Sequence, residues 1–373
     1  LTNKARDLPG DASPILHLRP DDGFALRSGQ RLAELRIAYD VAGALAPARD
    51  NVIIVFHALT GDQFVARPNP INGRAPWWPT IVGPGKPIDT DRFFVVCANV
   101  LGGCMGSTGP ASPGPDGAPW GARLPLLTIA DMARAQALLL DHLGVDAVRL
   151  AIGGSLGGML ALSFATLFPE RTRACAAIAA CAAHPPHMIG LYEIGRTAIR
   201  SDPDWRKGDY ARFGVRPGAG LGLARMLAQI SYRTDAEFAA RFGRQLQSGA
   251  PLTYVWQDQF QIESYLRHHA QKFNDRFDAN SYLYLTRAMD YFDLAADHGG
   301  DLRAAFAGSP VRFGIFSFDS DWHYPPALSR DLANAIAAVG APVDLVETAS
   351  LYGHDSFLLD VPAFIAAIAA FVE

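Results

Sequence analysis

Apolar residues along the chain fall into short unbroken runs and longer periodic segments, and the two kinds alternate. Asn51-Val52-Ile53-Ile54-Val55-Phe56 is nearly continuous and bounded by polar turns, which predicts a central strand covered on both faces. The run 93–98, Phe93-Phe94-Val95-Val96-Cys97-Ala98, repeats the pattern and ends in the glycine-rich loop Leu101-Gly102-Gly103-Cys104. Residues 34–43 alternate and predict an earlier strand. Further strands are predicted at 147–152, 174–180, 311–318 and 343–348. Thr128 is placed to cap a helix whose face carries Ile129, Met132, Ala133, Leu138, Leu139 and Leu143. Asp131 supports the cap and Gly144 closes the segment. Helices are also predicted at 156–168, 326–338 and 360–371.

Between Pro185 and His298 strand-like runs vanish. Helical segments are expected at 188–200, 221–230, 234–245, 258–272 and 280–296. Alternating strands and helices on both sides of this stretch predict an α/β fold with a mostly parallel central sheet. The division expected is a core of residues 1–184 and 299–373, with a helical lid, 185–298, inserted in it.

Composition narrows the class. Of 373 residues 49% are hydrophobic and 19% charged, with a formal charge of −4, which reads as globular rather than disordered. No broad basic field points to nucleic acid, and no run is long and apolar enough for a membrane span. Cys97, Cys104, Cys175 and Cys181 lack CxxC spacing and metal-site neighbours, so no bound metal is expected. Cys97, Cys175 and Cys181 sit in apolar runs and read as buried thiols, whereas Cys104 lies in a loop rich in glycine. The Leu1-Thr2-Asn3-Lys4-Ala5-Arg6 start has no apolar segment behind it, which suggests a soluble, cytoplasmic protein without a signal peptide.

The candidate chemistry centres on Gly153-Gly154-Ser155-Leu156-Gly157, which joins a predicted strand to a predicted helix. Glycines at 153 and 157 relieve crowding at a sharp turn that lifts a serine hydroxyl above the sheet. In that arrangement the acid and then the histidine follow the serine along the chain. His354 comes after the last predicted strand and is the best base; His298, His323, His268 and His269 fit less well. Asp319 and Asp321 compete for the acid. Spacing does not choose between them, and the neighbouring Trp322 ring favours Asp321 only slightly. Two backbone donors are needed for an oxyanion. The N–H of Leu156 is one, and Leu59, in His57-Ala58-Leu59-Thr60-Gly61, is the choice for the other. His57 itself reads as a loop-shaping residue.

Several stretches together carry a resemblance. They are Phe56-His57-Ala58-Leu59-Thr60-Gly61-Asp62, Trp77-Trp78, Val82-Gly83-Pro84-Gly85-Lys86 and Asn99-Val100-Leu101-Gly102-Gly103-Cys104. Others are Gly106-Ser107-Thr108-Gly109-Pro110, the serine turn, Asp202-Pro203-Asp204-Trp205, Arg276-Phe277-Asp278-Ala279-Asn280-Ser281-Tyr282, Ser320-Asp321-Trp322 and Tyr352-Gly353-His354-Asp355. With these the chain resembles the homoserine O-acetyltransferase family of α/β-hydrolase-fold acyltransferases over nearly its full length. The resemblance implies a triad of Ser155, Asp321 and His354, with Leu59 and Leu156 as oxyanion donors. It further implies that Arg225, Tyr232 and Asp355 hold an amino-acid acceptor. Acetyl-CoA would be a co-substrate with no bound cofactor, and the route ping-pong, in methionine biosynthesis. The partners implied are an acyl-CoA, a small hydroxylated amino acid and a second copy of the chain, meeting through the lid.

The chain departs from the family pattern in places. Leu156 replaces a common Met, which leaves the amide unchanged. Gln63-Phe64 stands where a Ser-His pair often follows Asp62. The stretches 181–188 and 192–195 are also unusual. An esterase on the same scaffold, an O-succinyltransferase and a serine acceptor stay open at this point.

Overall fold

The computed structural model describes residues 13–247, 249 and 251–373. Eight strands form one sheet: β1 (Ile15–Leu18), β2 (Leu35–Ala42), β3 (Val52–Phe56), β4 (Phe94–Ala98), β5 (Leu150–Gly154), β6 (Ala174–Ile178), β7 (Arg312–Phe318) and β8 (Val343–Thr348). Their spatial order is β1-β2-β4-β3-β5-β6-β7-β8. β1 pairs antiparallel with β2, and β2 with β4; every later pairing is parallel. The expectation of a mostly parallel sheet holds.

Side chains of β3 show why its run is unbroken. Val52, Ile54 and Phe56 enter one core, while Ile53 and Val55 enter another on the opposite face. The first core holds residues of α1 (Ile129–His142), α2 (Leu156–Leu167) and α8 (Pro326–Ala338). The second holds Trp78 with Phe364, Ile368 and Phe371 of α9 (Pro362–Val372). Both faces are covered, so no polar alternation is needed. Thr128 and Asp131 form a reciprocal capping box at the start of α1.

Two sequence expectations shift. The strand expected at 147–152 forms at Leu150–Gly154, with Val148 making only an isolated bridge to Thr172. Its last two residues are glycines, which carry no apolar signal. The four-residue edge strand β1 was not foreseen, being too short for a pattern.

Among the described residues five α-helices lie between the sixth and seventh strands: α3 (Pro186–Ser201), α4 (Gly218–Ser231), α5 (Asp235–Arg241), α6 (Gln261–Asn274) and α7 (Ala279–Asp290). The helix expected at 234–245 is shorter because Gly243 takes a positive φ of 48°. The segment leaves and rejoins the sheet region at one place. There the His184 N–H donates to the Phe292 carbonyl at 3.0 Å and the Leu294 N–H to the Ala182 carbonyl at 2.9 Å. A buried Arg196–Asp290 pair at 2.8 Å ties α3 to α7 just above.

All four cysteines are free thiols, three buried and Cys104 partly so. Burial, aided by the Asp278 charge, pushes the Cys104 thiol up to about 12. Among the described residues no helix is long and apolar enough to cross a membrane.

Candidate active site

Ser155 sits between β5 and α2 with φ 58° and ψ −123°, a conformation that a side-chain-bearing residue adopts at a cost of about 1–3 kcal/mol. The glycines around it are there because of close approach. A β-carbon on Gly157 would lie 2.1 Å from the Phe56 carbonyl oxygen, and one on Gly153 would lie 2.5 Å from the Gly157 carbonyl group. The end of β3 therefore packs directly under the turn and holds the serine in its strained geometry.

The hydroxyl of Ser155 is 2.8 Å from His354 Nε2, and His354 Nδ1 is 2.8 Å from Asp321 Oδ2. All three side chains are buried. The other carboxylate oxygen of Asp321 accepts the N–H groups of His323 at 2.9 Å and Tyr324 at 3.2 Å. The chain turns after Phe318, so the period of a strand no longer applies. Asp319 faces outward and accepts the Ser350 N–H at 2.9 Å. Trp322 does not bury Asp321, contrary to the expectation from its place beside it. The Trp322 ring is 44% exposed, and backbone donors rather than that ring fix the carboxylate.

Burial works to lower the His354 pKa. The charge and hydrogen bond of Asp321, with help from Asp355, outweigh it and hold the group above its ordinary value of 6.5. The imidazole is thereby oriented with Nδ1–H toward the carboxylate and a lone pair toward the serine. That arrangement can take a proton from Ser155 and return it to a leaving group.

Leu156 is the first residue of α2, so its N–H has no partner within the helix. Leu59 lies in a tight turn closed by the Gly61 N–H to the Ala58 carbonyl at 2.8 Å. Neither N–H has a hydrogen-bond acceptor among the described residues, and both residues are buried. His57 shapes this turn, as expected: its Nε2 accepts the Val100 N–H at 3.1 Å, leaving Nδ1–H to donate to the Ala58 carbonyl at 2.8 Å.

Sequence reasoning missed Arg276. It lies between α6 and α7, and its Nη1 donates to the Thr60 carbonyl at 2.9 Å, pinning the loop just past Leu59. Burial, with Arg74 and Arg225 nearby, lowers its pKa to about 10. No local spacing signals a contact across 216 residues.

The three proposed acceptor-binding residues cluster beside His354. The Tyr232 ring, at the end of α4, lies 6.0 Å from the His354 ring. The Arg225 guanidinium sits 5.8 Å from the Tyr232 ring centroid and 5.1 Å from that of Phe273. With the Gln229 amide turned so that its oxygen faces Arg225, it accepts from Nε at 3.2 Å. The Asp355 N–H donates to the Tyr232 carbonyl at 3.3 Å, and its carboxylate lies 3.4 Å from Arg233. Burial raises the Asp355 pKa, against the opposing charges of Arg233, His354 and Arg225.

A serine on a strand-to-helix turn, an acid and a histidine after later parallel strands define a class. The chain belongs to the alpha/beta hydrolase fold family, whose model matches residues 51–361. A homoserine O-acetyltransferase of Mesorhizobium japonicum is 50% identical over 372 residues, covering 100% of this chain and 95% of the relative. One of Rhodospirillum rubrum is 50% identical, covering 98% and 95%. Within that class, the chain is a member of the homoserine O-acetyltransferase family. Among solved structures, esterase E22 superposes with a TM-score of 0.87 at 28% identity, covering 97% of this chain and 99% of the other. The homoserine O-acetyltransferase from Bacillus anthracis gives 0.88 at 23% identity, with 97% of each chain covered, a likeness of fold.

Proposed function

We propose that this protein moves an acetyl group from acetyl-CoA to the hydroxyl of L-homoserine, in methionine biosynthesis in the cytoplasm. The observation that carries the reading is the hydrogen-bonded chain Ser155–His354–Asp321, with Arg225, Tyr232 and Asp355 beside it. Full-length relatives of 50% identity bearing that enzyme's name support it.

In the first half-reaction His354 Nε2 takes the Ser155 proton as Oγ attacks the thioester carbonyl. The Leu59 and Leu156 N–H groups receive the oxyanion. The carbon–sulfur bond breaks, the proton passes from His354 to sulfur, and CoA departs. In the second, His354 takes the proton of the acceptor hydroxyl, whose oxygen attacks the acyl-serine. The bond to Oγ breaks, Ser155 regains its proton and the O-acetyl amino acid leaves. Arg225 suits an α-carboxylate, and Asp355 an α-ammonium that would compete with Arg233.

Residues 185–298 serve in this reading as a lid on the core formed by 1–184 and 299–373, and as the surface that joins two copies. Leu223 and Ile230, seven residues apart on α4, are both at least half exposed, which supports an apolar contact there.

The test supplies the protein with acetyl-CoA, with and without L-homoserine, and follows CoA release and product. Homoserine-dependent release with O-acetylhomoserine formed supports transfer. The likeness to esterase E22 favours a second reading, hydrolysis of short acyl esters. Equal CoA release without acceptor, with fast ester cleavage, would establish that one instead. Succinyl-CoA and L-serine, substituted in turn, test donor and acceptor.

A further inference from the structure

His323 is a buried polar side chain that the acyl-transfer steps leave unused. Its ring is 0% exposed, and neither Nδ1 nor Nε2 has a hydrogen-bond partner of normal geometry. An apolar side chain would fill the same space without leaving buried polar atoms unpaired. The ring nevertheless lies against His354, with centroids 4.8 Å apart and planes inclined by 23°. Tyr232 packs on it at 5.3 Å and the Trp322 edge at 5.1 Å.

The hydrogen bonds at Nδ1 and Nε2 fix His354 along one line through the ring. They leave it free to rock about that line. A flat group parallel to the ring removes this freedom. Tyr324 and Phe357 meet His354 at steep angles, 64° and 71°, and Tyr232 lies farther off at 6.0 Å and 35°, so His323 is the nearest and least inclined of the rings against it.

We infer that His323 is a positioning residue for His354, a neutral aromatic plate that fixes the plane of the base and stabilises the imidazolium formed during acyl transfer. The inference rests on the reading of His354 as the base. Burial first, then His354, His187 and His184, push the His323 pKa well below its ordinary value, against a backbone hydrogen bond at Ser231. A neutral π face beside a desolvated cation is attractive, whereas a second cation would repel it. The groups facing the pair are Asp321, Asp355, Tyr232 and Tyr324 around His354, with His184, just before α3, and His187, in its first turn, toward His323.

The experiment compares wild type, His323→Leu and His323→Phe with acetyl-CoA plus L-homoserine and with p-nitrophenyl acetate. Thermal melts check that each variant folds. His323→Leu should lower kcat about tenfold on both substrates, with KM little changed. The acid limb of its pH–rate profile should move to lower pH, because the imidazolium loses its support. His323→Phe retains the plate and should recover kcat to within about threefold of wild type. The inference is overturned if His323→Leu keeps wild-type kcat and an unmoved acid limb. It is equally overturned if folded His323→Phe is as impaired as His323→Leu. Should His323→Leu not melt cooperatively, His323→Met is read in its place. A wild type that cleaves p-nitrophenyl acetate without acylating homoserine would sink the transferase reading alone.

Discussion

Asp319 and Asp321 stand two residues apart and look in opposite directions: one accepts a surface backbone N–H, the other meets the His354 imidazole at 2.8 Å. Asp321→Asn should therefore lower kcat by about 10⁴-fold, since an amide at that place favours the wrong histidine tautomer. Asp319→Asn should stay within about twofold of wild type, as expected for a surface change. Initial rates of CoA release check both. A large loss in the Asp319 variant would reverse the assignment.

The pH dependence follows from His354, whose pKa is raised above 6.5 by Asp321 against the effect of burial. The base acts when neutral, so activity should fall as pH drops through this raised value. Its acid limb should thus lie above that of an ordinary histidine. Stability runs the other way. The group binds its proton more tightly folded than unfolded. Its contribution is full below the unfolded value and disappears as pH rises through the folded one. Rate profiles, and denaturation of wild type against His354→Ala across pH 5–9, should move in these opposite senses.

Acceptor binding should separate from chemistry at Arg225. Arg225→Lys loses the bidentate fork and should raise the KM for L-homoserine about tenfold or more, while p-nitrophenyl acetate cleavage changes little. Equal losses on both substrates would mean that the guanidinium supports the fold around Tyr232 and Phe273 instead.

Gly157→Ala should destabilise the protein by about 3 kcal/mol, because the added methyl meets backbone at 2.1 Å and not a movable side chain. A lowered denaturation midpoint, with a matching loss of folded yield, is the expected result. An unchanged midpoint would mean that β3 and the serine turn can part without cost.

Much of the fold was legible because its signals are local. The β3 run reads as a doubly covered strand, and Thr128–Asp131 reads as a cap, from a few neighbouring residues. Ser155 was legible for the same reason, since glycines, strand and helix lie within one short stretch. The orientation of Asp319 and Asp321 was not, because it depends on where the chain turns after Phe318. Arg276 was hidden by distance along the chain. His323 fitted the base role poorly by its place in the chain, and its place against His354 follows only from packing.

The helices between Ala182 and Leu294 leave and rejoin the sheet region through two adjacent backbone hydrogen bonds, and further bonds, such as Arg276 Nη1 to the Thr60 carbonyl and the Asp355 N–H to the Tyr232 carbonyl, tie them to the loops around Ser155. To the sheet, more than a hundred residues therefore amount to the tip of one hairpin. Their length does not enter the pairing of any strand, because the chain departs and returns at that one point. The chemistry at Ser155 and the choice of what reaches it are thus coupled through the few contacts by which Arg276 and Tyr232 reach the loops of Leu59 and His354.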